Sequence, residues 1–132
     1  MRNLTAILVA VLLAGCASTS LGPQQKVANL NQIAGTWEGP VYFKDGGSMS
    51  ATLVVTPEGT FTYKSERGDT GSGSVRVENG AILGYAPSDP AKTIEWRLLG
   101  VGPEQTLVIN ASAKGRDGQP VLYETRYKKK LP

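Results

Sequence analysis

From Thr36 onward, apolar and polar residues alternate with a period of two, and turn-forming residues return every eight to twelve positions or so, the pattern of an all-β meander. The spacing predicts eight strands, over 36–44, 49–56, 60–66, 72–78, 81–86, 93–99, 106–112 and 121–129. Their connections hold Asp45-Gly46-Gly47, Pro57-Glu58-Gly59, Gly68-Asp69, Asn79-Gly80 and Asp117-Gly118. These residues tolerate the positive φ of tight turns, and Asn79-Gly80 is the strongest two-residue hairpin signal among them.

Alternation assigns the faces. Trp37, Val41, Phe43, Leu53, Val55, Phe61, Tyr63, Val75, Ile82, Ile94, Trp96, Leu98, Leu107, Ile109, Tyr123 and Tyr127 share one side of their strands, while Glu38, Lys64, Arg76, Glu95, Arg97, Glu124, Arg126 and Lys128 share the other. A meander with one apolar face must bury it, and in a chain this short the simple solution is closure into a small up-and-down barrel of eight antiparallel strands. Gly39, Gly71, Gly73 and Gly84 fall within or beside strands, where they permit the bends that closure needs. Upstream, Val27, Leu30 and Ile33 recur every third residue, as in a short N-terminal helical turn laying an apolar edge against the barrel. The run 17–26 is small, polar and broken by Gly22-Pro23, so it is expected to be an unstructured tether.

The first fifteen residues follow a different rule. Arg2 supplies a positive start and 4–14 an apolar run, too short for the ~20 residues of a membrane-spanning helix. Leu13-Ala14-Gly15-Cys16 resembles the lipobox of bacterial lipoproteins. The resemblance implies a signal peptide over 1–15, lipidation of Cys16, and attachment to a membrane through that lipid. Ser18 stands where many lipoproteins retained at the inner membrane carry aspartate, which favours the outer membrane, with the domain facing the periplasm. The organisation expected is therefore a leader over 1–15, an anchor, tether and helical plug over 16–34, and a barrel over 35–132.

Gly35-Thr36-Trp37 at the head of the first strand, with Tyr123-Glu124-Thr125-Arg126-Tyr127 in the last, resembles the calycin pattern of lipocalins and fatty-acid-binding proteins. The resemblance implies that Trp37 packs with Arg126 to close one end of the barrel, the guanidinium stacking on the indole.

Composition narrows the chemistry. The chain has 132 residues, one Cys and no His, which removes Ser-His-Asp and Cys-His catalysis, His-ligated zinc and internal disulfides. Glu38, Glu95 and Glu124 lie among arginines on the polar face and are expected to pair across strands. No carboxylate falls on the apolar face to serve as a general acid. No glycine-rich phosphate loop, metal-ligand spacing or cofactor motif occurs, and a net charge of +3 is too small to imply nucleic acid. What is left is binding. Phe61, Tyr63, Trp96 and Tyr123 are the candidate pocket for a small apolar ligand, with Ala51, Gly84 and Ala111 hinting at spare volume near one end. Against this, an eight-stranded barrel is at the size where its own side chains just fill it or leave room for one small ligand; size alone does not decide, and the weight falls on a filled interior. Outward Tyr42, Tyr85, Leu99 and Leu122 would suit contact with an envelope protein partner. The expected function is non-catalytic binding at the cell envelope. The alternatives are a structural lipoprotein with a filled barrel and a periplasmic hydrolase inhibitor.

Overall fold

Each predicted strand forms, and the ladder they build has no free end. The computed structural model describes residues 21–44, 46–114 and 118–130, so the leader, the lipobox and Cys16 lie outside the described residues. The strands are β1 (Gln24–Gln25), β2 (Gly35–Phe43), β3 (Ser48–Val55), β4 (Thr60–Ser65), β5 (Thr70–Glu78), β6 (Ala81–Ala86), β7 (Asp89–Leu99), β8 (Thr106–Lys114) and β9 (Pro120–Lys129). From β2 to β9 each pairs antiparallel with the next, and β9 returns to pair with β2, which closes an eight-stranded up-and-down barrel. Closure satisfies the edge N–H and C=O groups that an open sheet would expose. Where β2 meets β9 the approach is close: a Cβ at Gly39 would stand 1.9 Å from the Arg126 carbonyl oxygen, so this position excludes every side chain. The hairpin between β5 and β6 turns on Asn79 and Gly80, at φ 53° and 85°, the left-handed pair that the Asn-Gly signal predicts.

Side-chain direction follows the pleat. Trp37, Val41, Leu53, Val55, Val75, Ile82, Trp96, Leu98, Leu107 and Tyr127 are buried in one core. One end of that core is sealed by the N-terminal segment. Asn29 caps the 3-10 turn Leu30–Gln32, its side chain accepting from the Asn31 N–H at 3.0 Å while the Gln32 side chain accepts from the Asn29 N–H at 3.2 Å. This turn directs Val27 and Ile33 inward, where they are 1% and 0% exposed. Trp37, also 0% exposed, donates its indole N–H to the Ile33 carbonyl at 2.9 Å, tying the plug to the first barrel strand.

The expectation of an unstructured tether over 17–26 does not hold at Gln24 and Gln25. Gln24 and Gln25 pair with Leu99 and Leu98 as β1, and Gly100 N–H donates to the Pro23 carbonyl at 2.8 Å. The reason is a gap in the ladder: β6 begins at Ala81, opposite the residues of β7 just before Leu98, and the last residues of β7 would otherwise lack a partner on that side. Leu99 is consequently buried at 9% exposure rather than part of an outward patch. Strand β7 also starts earlier than the alternation predicts, at Asp89, with a register irregularity between Tyr85 and Ala86.

The predicted partnership of Trp37 with Arg126 does not form. Residues directly opposite in a ladder share a face, and the residue opposite Trp37 is Lys129. Lys129 Nζ stands 5.8 Å from the centre of the Trp37 ring, and its stem passes over Gly35. Arg126 has the opposite parity. It points outward, 5.7 Å from the Tyr42 ring and 2.7 Å from the Glu124 carboxylate. Two substitutions separate these roles. Trp37→Phe strands the Ile33 carbonyl and opens a void, and is expected to lower unfolding stability in urea by about 2–4 kcal/mol. Arg126→Ala, which loses an exposed pair, is expected to cost under about 1 kcal/mol. Equal effects would contradict this assignment of the sealed end.

Candidate functional site

Away from the plug, the barrel is hollow. The lumen and its mouth form a half-open hollow of about 1230 Å³ at the end where β2–β3, β4–β5 and β6–β7 turn. The expectation of an interior filled by side chains is thus corrected, and the reason lies in paired positions across the ladder. Tyr63 is opposite Gly71 and Phe61 is opposite Gly73. A Cβ at Gly71 would lie 2.3 Å from the Tyr63 ring, one at Gly73 would lie 2.7 Å from the Phe61 ring, and one at Gly84 would lie 2.5 Å from Trp96 Nε1. Each ring therefore rests on bare backbone, against the wall. Large aromatics that would otherwise project across the lumen line it instead, with Phe61 edge-on to Trp96 at 5.0 Å between ring centres.

All four residues expected to form a pocket, Phe61, Tyr63, Trp96 and Tyr123, line this lumen, as do Gly84 and Ala111. Between them stand Val41, Leu53 and Ile109, so the walls are largely apolar. The polar groups inside are hydroxyls. Burial pushes the Tyr127 phenol up to about 12; a hydrogen bond with Thr125 offsets part of that shift, and Tyr123 and Tyr63 add to it. Burial likewise raises Tyr123, with Tyr63 again contributing. Three phenols thus sit close enough to influence one another, beside the buried hydroxyl of Thr125. Such a set presents neutral donors and acceptors, which orient a ligand rather than react with it. Tyr127 and Thr125 were not among the expected pocket residues, although both share the parity of Tyr123, which is the signal that finds them.

The glutamates face solvent: Glu124 and Glu78 pair along their own strands, with Arg126 at 2.7 Å and Arg76 at 2.9 Å, while Glu38 pairs across strands with Lys130 at 3.8 Å. Of the outward apolar residues, Tyr42 and Leu122 are 46% and 51% exposed, while Tyr85 lies under Arg76, 4.8 Å from guanidinium to ring centre. A second hollow, about 740 Å³, is an open groove on the outside of β3, β4 and β5, lined by Thr52, Thr62, Thr70 and Ser72. Among the described residues, no three acidic or thiol side chains cluster as metal ligands would.

Fold and site together define a closed eight-stranded up-and-down β barrel with one plugged end and one open, aromatic-walled end. No protein-family model matches the chain, and no curated protein matches it. Among solved structures, a redesigned β barrel is similar, with a TM-score of 0.44 and 16% identity over 76% of this chain and 94% of that one.

Two outcomes are expected from this geometry. Glycine within a strand ordinarily costs about 0.5–1 kcal/mol relative to alanine, so Gly84→Ala would stabilise an unobstructed position. Here it must displace Trp96, and a loss of about 1–3 kcal/mol with an altered near-ultraviolet tryptophan signal is expected; unchanged stability would mean that the ring lies elsewhere. The raised Tyr127 phenol is ionised more readily in the unfolded chain, so its contribution to stability is complete below about pH 10 and lost as pH rises towards about 12. Urea midpoints are expected to fall across that interval, and to fall less in Tyr127→Phe.

Proposed function

We propose that the chain is a non-catalytic binding protein whose barrel takes one small, largely apolar ligand through its open end. The observation that carries this reading is the lumen of about 1230 Å³ walled by aromatic and aliphatic side chains with a few convergent hydroxyls. Ligand sites commonly combine a hollow of about 300–1,000 Å³, somewhat less than this one with its open mouth, with an apolar lining and sparse polar groups. Maintaining such a hollow forgoes the packing that a filled core would supply, so a barrel without a ligand would gain stability by filling it.

In the same reading, a lipid on Cys16 holds the barrel at the outer membrane, facing the periplasm. The path of the chain bears on how it would stand there. Gly22 and Pro23 lie against Gly100 at the plugged end, the end opposite the mouth. Residues 17–21 span at most about 18 Å when fully extended, so the lipid would hold the plugged end near the bilayer and leave the mouth turned away from it.

Native mass spectrometry of the protein purified from its own host tests the first part: a bound mass that is lost on denaturation is expected, and a uniformly unliganded barrel would overturn it. Membrane fractionation of Cys16→Ala tests the second. Release into the soluble fraction is expected, and continued membrane association would refute the anchor.

A further inference from the structure

Among the described residues, charge within the lumen is confined to one level. The lining below Phe43 is apolar or hydroxyl-bearing, and the charged lining residues, Arg67, Asp69 and Lys92, all belong to the open end. Arg67 and Asp69 lie in the β4–β5 turn, and Lys92 on the stretch of β7 that follows the β6–β7 turn. Asp69 is held in its own turn, its carboxylate accepting from the Ser65 hydroxyl at 3.3 Å while keeping its negative charge. The two cations are not so held. Arg67 lies over the Phe43 ring with its guanidinium 5.8 Å from the ring centre, and neither it nor Lys92 joins an ion pair among the described residues. Lys129, the cation that shares the inward parity, is held over Gly35 at the plugged end and does not line the lumen.

This arrangement dictates which way a charged ligand could sit. An anionic group carried into the lumen would meet phenols and aliphatic walls with no cation to replace its water, at a cost the hydroxyls do not offset. At the mouth it would stay hydrated and meet Arg67 and Lys92, two positive charges against the single negative charge of Asp69, while the attached apolar body fills the hollow behind Phe43. We propose that the barrel selects a monomeric anionic amphipath, apolar body inward and carboxylate, sulfonate or phosphate at Arg67 and Lys92. The inference rests on the lumen being a ligand site and adds the class of ligand and its direction.

A matched pair of fluorescent probes tests it: 1-anilinonaphthalene-8-sulfonate, and N-phenyl-1-naphthylamine, which is the same ring system without the sulfonate. Both are titrated into the full chain, into the double variant Arg67→Ala/Lys92→Ala and into Ile109→Trp, with circular dichroism confirming the fold of each. The double variant is expected to bind the sulfonate about tenfold more weakly while binding the neutral probe within twofold of the unaltered chain, and added salt should reproduce the first effect. Ile109→Trp, which obstructs the lumen, should weaken both. If the double variant binds both probes as the unaltered chain does, the placement of the anion at the mouth is overturned and the lumen survives as a site for neutral ligands. If neither probe binds the unaltered chain, the ligand-binding function itself is overturned.

Discussion

An eight-stranded barrel encloses a space that its own side chains are just able to fill. In this molecule the outcome is decided by where three aromatic rings lie. Tyr63, Phe61 and Trp96 rest on Gly71, Gly73 and Gly84, contacts so close that a single methyl group at any of these glycines would dislodge a ring. Everything at the open end depends on that constraint. Rings on the wall leave a hollow of about 1230 Å³ with the phenols of Tyr63 and Tyr123 beside it, and Phe43 stands at the mouth, where Arg67 covers it. The contacts also give the glycines a purpose beyond bending. Strand glycines cost backbone entropy, and here the loss is offset by an aromatic surface laid across the exposed backbone.

The two ends of the barrel solve opposite problems. At the plugged end, Val27, Ile33 and Trp37 are almost wholly excluded from solvent, and the indole N–H donates to the Ile33 carbonyl of the entering chain. At the open end the residues are larger but less buried, Ile94 at 42% exposure among them, and charge appears only at the rim. A rigid, sealed base and an apolar, partly exposed mouth are what a barrel needs if it is to hold its shape while one end exchanges a ligand for water.

Most of this architecture was legible from alternation, because a side chain's direction in a strand is set by parity alone. Trp37, Leu53, Ile82, Leu98 and Leu107 all fall where a period of two puts them, and Asn79-Gly80 makes the turn its chemistry demands. The failures have physical causes. Gln24 and Gln25 carry no alternating pattern, since their pairing is imposed by the unpaired end of β7 rather than by their own side chains. Arg126 was assigned to Trp37 by family resemblance against its own parity, and the ladder follows parity, bringing Lys129 to the indole. The hollow was the least legible feature. Whether rings cross a lumen or lie along its wall depends on cross-strand register, yet the pairing of Phe61 and Tyr63 with glycines follows once the β4–β5 turn is placed, and was within reach of the sequence.

The central claim is that the lumen is open and apolar because the rings are held against its wall. Crystals pressurised with xenon test it directly, since xenon enters empty apolar cavities and leaves packed cores unlabelled. The account predicts xenon density between Phe61, Trp96 and Ile109, with each ring still lying on its glycine. Density for the rings crossing the lumen, with no xenon among them, would contradict it.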